Sequence, residues 1–142
     1  MITFLAAVSE ADQSKCRAIR ADVFIDEQNV PADLEVDELE NACAHYLAKQ
    51  NDTPIAAARI LPKGDKAKIQ RVCVAKSHRG TGLGAELMRF VLKEAKAQGF
   101  QSAILGSQTY AIPFYEKLGF VAEGPEYLDA GIPHRDMSLV LS

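Results

Sequence analysis

Residues 72–88 read VCVAKSHRGTGLGAELM, a β-prone run followed by a glycine-rich turn and an apolar periodic run. The three glycines of the turn leave backbone N–H groups uncovered, and the helix predicted after them adds the positive end of its dipole. Arg79 supplies a fixed positive charge. The pattern predicts a turn that binds a phosphate or pyrophosphate. The alternative is a glycine turn that serves only close packing.

Three kinds of phosphate-binding turn can be compared with this stretch. A P-loop requires Lys and then Ser or Thr after its second glycine, but Ala85 and Glu86 follow Gly84 here. The dinucleotide pattern fits Gly80, Gly82 and Ala85, yet the next predicted strand ends at ILGSQ without an acidic residue for a ribose hydroxyl. The pattern Arg-x-x-Gly-x-Gly matches at Arg79, Gly82 and Gly84.

The match to this third pattern extends beyond the turn. The segment AIPFYEKLGF at 111–120 follows the glycines after some thirty residues. With these two motifs the sequence resembles the GNAT superfamily of acyl-CoA-dependent N-acetyltransferases over nearly the whole chain. Two further segments, VFIDEQNVPADLEVDELE at 23–40 and LDAGIPHRDM at 128–137, resemble its ElaA and YjcF branch.

Hydrophobic periodicity predicts one mixed α/β domain over residues 1–142, with the element order β-α-β-β-β-α-β-α-β-β. Ser9 and Asp12 form a capping box before the first helix, and Gly99 ends the second. We interpret Arg17 and Arg20 as part of a solvated helix face. The predicted strands cover 2–8, 44–50, 54–62, 67–75, 100–105, 120–124 and 136–141. The resemblance implies a mostly antiparallel sheet, splayed between its fourth and fifth strands and flanked by helices.

Composition limits the classes of partner. The 142 residues carry a formal net charge of −3, which gives no general reason to expect nucleic acid or an anionic membrane as a partner. Cys16, Cys43 and Cys73 lack the short spacings of zinc sites, so we expect reduced thiols and no metal. No run approaches the ~20 apolar residues of a membrane span. We expect a cytoplasmic protein, either monomer or homodimer.

The resemblance also implies a set of residues that bind acetyl-CoA. The strand before the turn would pair through its backbone with the pantetheine arm, while the turn itself would hold the pyrophosphate. Gln108 stands where many relatives carry an asparagine that bonds the pantetheine. The expected cofactor-binding residues are Val72, Cys73, Val74, Arg79, Gly80, Thr81, Gly82, Leu83, Gly84 and Gln108. Tyr115 matches the family tyrosine that protonates or hydrogen-bonds the departing thiolate, the alternative being a core aromatic.

The sequence restricts the identity of the general base and of the acceptor site less than it restricts the acetyl-CoA site. Lys68 falls where the histone-modifying relatives place a glutamate base, so no base can be carried over from there. The remaining candidates for a base are Glu27, Asp37, Glu38, His45 and His134, or a water chain without a dedicated side chain. We expect the amine to enter beside 23–30 and 42–49, with Phe24, Glu27, Glu38, His45 and His134 as the substrate-binding residues.

The sequence therefore predicts an N-acetyltransferase that moves an acetyl group from acetyl-CoA to a primary amine by direct attack. Its partners would be acetyl-CoA and an amine acceptor. The competing interpretation is an acyl-CoA-binding regulatory domain that keeps the fold but does not turn over. A dehydrogenase is the least favoured class, because the strands show no nicotinamide site.

Overall fold

A computed structural model describes residues 1–30 and 39–141. Its sheet has seven strands in the order β1-β2-β3-β4-β5-β7-β6. All neighbours are antiparallel except β4 and β5. The strands are β1 (Ile2–Ala7), β2 (Ala44–Gln50), β3 (Thr53–Lys63), β4 (Lys66–Val74), β5 (Ser102–Gln108), β6 (Val121–Asp129) and β7 (Ile132–Val140). The helices are α1 (Glu10–Arg20), α2 (Leu83–Ala97) and α3 (Ile112–Glu116).

The sheet opens between β4 and β5. These two parallel strands pair only from Lys66↔Ser102 to Lys68↔Ile104, although β4 continues to Val74 and β5 to Gln108. We call this opening the seam. Beyond the three pairs, the backbone groups that face the seam have no ladder partner on the opposite strand. The expected splay between the fourth and fifth strands is confirmed.

Helix α1 covers one face of the first four strands. The Ser9 hydroxyl accepts a hydrogen bond of 3.1 Å from the Asp12 N–H, as the capping box predicts. Cys16 and Ile19 pack on Leu47 and Ala57 of the sheet. The helix continues as a π-helical segment over Ala21–Glu27. The interpretation of Arg20 as solvated is wrong, because its side chain is 1% exposed and forms an ion pair.

Helix α2 covers the opposite face and packs on β3, β4 and β5. Its apolar stripe is fully buried at Leu87, Met88 and Val91. Burial of each such side chain stabilises the fold by about 1.5–3 kcal/mol. The helix ends before Gly99, whose φ of 93° suits the left-handed conformation that terminates helices. The stop signal predicted at Gly99 is confirmed.

The last hairpin is longer than the sequence indicated. Strand β6 runs to Asp129 rather than ending near Gly124, and β7 begins at Ile132, four residues before the predicted start. The periodicity was hidden by Gly124 and Pro125, where the register between β6 and β7 shifts. His134 therefore lies within a strand, opposite Gln108 of β5. No helix in the described ranges is long and apolar enough to cross a membrane.

Candidate active site

The glycine turn ends directly at the first turn of α2. Gly80 and Gly82 have φ values of 77° and 86°, which L side chains rarely adopt, and a Cβ at either position would meet no protein atom within 4 Å. Gly82 is the N-cap, and its carbonyl accepts from the Glu86 N–H at 3.1 Å. The N–H groups before Glu86 in this first turn have no intrahelical acceptor. The turn thus presents open backbone donors and a helix dipole to one point.

Arg79 is held beside this turn by two interactions. Its Nε donates to the Val74 carbonyl at 3.1 Å, and its terminal nitrogens contact both carboxylate oxygens of Glu27 at 3.0 and 2.8 Å. A bidentate pair of this kind fixes the plane of the guanidinium. Glu27, a candidate base, is therefore engaged with Arg79. The bond also ties the π-helical segment to the glycine turn.

A cavity of about 490 Å³ lies at the turn, and we call it the loop cavity. Eight of the ten expected cofactor-binding residues line it: Val72, Cys73, Val74, Arg79, Gly80, Gly82, Leu83 and Gly84. The side chains of the three strand residues pack into the hydrophobic clusters, so the strand offers backbone rather than side chains. Thr81 does not line the cavity; its hydroxyl donates to the His78 carbonyl at 2.5 Å and closes the turn.

A second cavity of about 500 Å³ occupies the seam, and we call it the seam cavity. A β-bulge in β4 shapes its wall, because the register with β3 shifts between Arg59↔Gln70 and Ala57↔Cys73. Arg71 takes φ 56° within this bulge. Val72 lines both cavities, so the two meet at the bulge.

Tyr115 lies in α3 and lines the seam cavity, while its neighbour Phe114 lines the loop cavity. Its ring makes edge contacts with Phe114 and Phe120, at centroid distances of 5.0 and 5.9 Å. Burial, with a smaller contribution from Tyr110, raises the pKa of Tyr115 to about 12. The phenol is therefore protonated at neutral pH and can act as a hydrogen-bond donor in the wall of the seam cavity.

His134 of β7 lines the far wall of the seam cavity. Its Nδ1 lies 2.7 Å from the Ile132 carbonyl, which can only accept, so Nδ1 carries the proton and Nε2 of the neutral ring is an acceptor. The ring stacks on Tyr127 at a centroid distance of 5.9 Å. Tyr127 in turn donates to Asp136 Oδ1 at 2.7 Å. Burial, together with this bond and the charges of Asp136 and Asp129, raises the pKa of Tyr127 to about 12.

The remaining expected residues fall into three groups. Gln108 and Phe24 line the seam cavity. Glu27 and His45 line neither cavity, and β2, which carries His45, is separated from β4 by β3. Asp37 and Glu38 lie outside the described residues.

His45 belongs to a buried ionic cluster beneath α1. Its Nε2 donates to the Glu40 carbonyl at 2.8 Å, and the Glu40 carboxylate contacts Arg20 at 2.9 Å and Arg59 at 3.1 Å. Both guanidiniums are 1% exposed. Burial alone would raise the pKa of Glu40, but the hydrogen bond and charge of Arg20, with the charges of His45 and Arg59, lower it overall. Glu40 is therefore ionised at neutral pH.

Several residues of the seam cavity had not been singled out as site residues from the sequence: Gln70, Arg71, Tyr127 and Asp136. The alternation of Lys68 and Gln70 with the apolar Ala67 and Ile69 was a usable signal for two-faced β4. The bulge at Arg71 had no such signal. Within 1–30 and 39–141, no group of three or more His, Cys, Asp or Glu side chains could hold a metal ion.

The profile of the acetyltransferase (GNAT) domain family matches residues 8–141. The chain belongs to the GNAT acetyltransferase family. The uncharacterized N-acetyltransferase YjcF of Bacillus subtilis is 45% identical over 120 residues, covering 84% of this chain and 86% of YjcF. Protein ElaA of Escherichia coli is 34% identical over 125 residues, covering 84% and 82%. The predicted resemblance to this family and branch is confirmed.

Solved structures agree with this assignment. The crystal structure of Escherichia coli ElaA superposes with a TM-score of 0.88 at 29% identity, covering 98% of this chain and 99% of ElaA. An acyl-CoA N-acyltransferase from Pseudomonas aeruginosa superposes with a TM-score of 0.89 at 26% identity, covering 99% and 100%. The chain is an acyltransferase of a family whose co-substrates are acyl-CoA thioesters. The open N–H donors of the loop cavity fit the anionic part of such a ligand.

Proposed function

We propose that this GNAT-family protein transfers an acetyl group from acetyl-CoA to a primary amine by direct attack. The observation that carries the proposal is the meeting of the two cavities at Val72. The loop cavity would take the pyrophosphate and pantetheine, and the seam cavity would take the amine. The thioester would then lie near Val72, with Tyr115 in the wall of the seam cavity.

In the proposed reaction the neutral amine nitrogen forms a bond to the thioester carbonyl carbon. The C–S bond then breaks, and the thiolate takes a proton from the Tyr115 hydroxyl or is stabilised by a hydrogen bond from it. The proton lost by the amine goes to a base. We assign that role to His134, because among the candidate bases within the described ranges it alone lines the seam cavity, and its Nε2 is an acceptor.

The assay is release of free thiol from acetyl-CoA in the presence of a panel of amines. Tyr115→Phe keeps the ring and its aromatic contacts, so acetyl-CoA affinity should stay near that of the wild type. Turnover should fall about 10²–10⁴-fold, the typical contribution of a positioned acid. Tyr46→Phe is the matched control, because it removes a buried hydroxyl that accepts from Gln98 at 2.9 Å and lines neither cavity.

Three outcomes distinguish the possible roles of Tyr115 and distinguish the enzyme from the regulatory domain. Full turnover by Tyr115→Phe, with chemistry shown to be rate-limiting, would return Tyr115 to the role of a core aromatic. Loss of acetyl-CoA binding in this variant would indicate a cofactor-positioning role instead. Binding of acetyl-CoA without thiol release for any amine would favour the regulatory domain over the enzyme.

A further inference from the structure

The β4 wall of the seam cavity carries two polar side chains on one face of the strand. Ala67 and Ile69 are buried in the core that contains α2. Since successive residues of a strand point to opposite faces, Lys68 and Gln70 project from the other face, about 6–7 Å apart. Both line the seam cavity. Lys68 lies opposite Ile104, at the last residue pair before the strands separate.

A buried arginine fixes the orientation of the Gln70 amide. Arg59 Nε donates to Gln70 Oε1 at 3.0 Å, and Arg59 is itself held by Glu40 at 3.1 Å. Because a guanidinium can only donate, the amide oxygen must face Arg59 and the NH₂ group must point elsewhere. No described group accepts from that NH₂, and the described chain contains no buried side-chain nitrogen without a partner. The NH₂ group is therefore accessible from the cavity.

The β7 wall of the seam cavity offers hydrogen-bond acceptors, whereas the β4 wall offers donors. Gly106 of β5 pairs with Asp136 and Gln108 pairs with His134, which places these two side chains on the same face as Ile104 and hence Lys68. Asp136 Oδ1 accepts from Tyr127, and a carboxylate has further lone pairs to offer. The cavity thus has an ammonium and an amide donor on the β4 side, and a carboxylate and an imidazole acceptor on the β7 side.

We propose that the acceptor amine also carries a carboxylate, and that it is a small amino acid. The inference rests on the acetyl transfer proposed above. Lys68 and Gln70 bind the carboxylate, while the amine lies toward His134, Asp136 and the bulge. A cavity of about 500 Å³ is of the size that holds a small molecule. Arg59 acts as a positioning residue, because it sets the direction of the Gln70 donor and does not line the cavity.

The test uses pairs of ligands that differ by the carboxylate alone. Binding of the twenty standard amino acids is compared by calorimetry with binding of their decarboxylated amines, such as phenylalanine with phenethylamine and lysine with cadaverine, on protein saturated with CoA. At least one amino acid should bind about tenfold or more tightly than its partner amine. Equal binding within every pair, preference for the decarboxylated amines, or no binding of any amino acid would overturn the inference.

Two variants test whether the preference for a carboxylate comes from the β4 wall. Gln70→Glu retains an oxygen toward Arg59 but replaces the NH₂ donor by an acceptor, and Lys68→Met removes the ammonium at similar length. Each should weaken binding of the preferred amino acid about tenfold and should not weaken binding of its decarboxylated partner, because each change makes the cavity less positive and a cationic amine is not repelled by it. Lys66→Met is the control, since Lys66 is exposed on the same strand and does not line the cavity. Discrimination that survives both variants in folded protein would refute the assignment.

The binding and thiol-release measurements distinguish a failure of this inference from a failure of the proposed reaction. Binding in the presence of CoA needs no turnover, so a carboxylate preference without thiol release from acetyl-CoA would refute acetyl transfer alone. Thiol release with amines that lack a carboxylate, and none with amino acids, would refute the substrate class alone.

Discussion

Replacement of Glu40 by Gln tests the buried ionic cluster, because it removes one charge and preserves the shape of the side chain. The Glu40 side chain is 14% exposed and lies between two guanidiniums that are 1% exposed. Removal of one partner from a buried ion pair typically costs about 3–5 kcal/mol. We expect a loss near the lower bound, about 3 kcal/mol, because the carboxylate retains some exposure.

Urea unfolding measures this loss directly. With an m-value of about 2 kcal/mol/M, a change of about 3 kcal/mol lowers the midpoint by about 1.5 M. Glu10→Gln is the control, since Glu10 pairs with Arg17 while 79% of its side chain is exposed. Surface pairs contribute about 0–1 kcal/mol, so its midpoint should move little.

The pH dependence supplies an independent check. The folded-state pKa of Glu40 lies below its ordinary value of 4.5, so its contribution to stability is present above that value and is lost as the pH falls through the folded pKa. The difference between wild type and Glu40→Gln should be constant near neutrality and shrink at acidic pH. A midpoint shift below 0.3 M at pH 7, or a difference that grows on acidification, would refute the account of the cluster.

Two further predictions concern the glycine turn and the thiols. Gly82→Val should abolish acetyl-CoA binding measured by calorimetry. The control is Gly64→Val, which imposes a positive φ on Val in the turn between β3 and β4; it should lose comparable stability and keep its affinity for acetyl-CoA. Equal affinity for acetyl-CoA in both folded variants would contradict the role of the turn. Burial raises the pKa of Cys16 to about 11. A thiol reagent at pH 8 should therefore label the half-buried Cys43 before Cys16. Rapid labelling of Cys16 in folded protein would contradict its burial.

Local patterns in the sequence were sufficient for most of the fold. Ser9 at the start of α1 and the apolar stripe of α2 are short-range signals, and the structure has both. The glycine turn was also predictable from the sequence, because the φ values of 77° and 86° at Gly80 and Gly82 are ones that other residues rarely adopt. These features depend on neighbours within a few residues, which a single sequence displays.

The parts that could not be predicted depend on long-range partners. The burial of Arg20 follows from Glu40, twenty residues away, and the engagement of Glu27 follows from Arg79, 52 residues away in the sequence. The bulge at Arg71 depends on the register between β3 and β4, and Arg has no intrinsic preference for a positive φ. The assignment of His134 to a cavity wall required its register with Gln108.

The short contact between β4 and β5 also has a consequence for how the sheet is held together. Strands β1 to β4 pair with their neighbours in sheet order, and β6 and β7 form a hairpin to which β5 adds. Within the described ranges these two halves are joined by three parallel residue pairs, by the Gln101 N–H, which donates to the Asp65 carbonyl at 2.8 Å, and by the shared core beneath α2. Every other pair of neighbouring strands is joined by six or seven residue pairs, so the junction of β4 and β5 has the fewest strand pairs in the sheet. The line along which the sheet has the fewest strand pairs thus coincides with the line where the proposed substrates would meet.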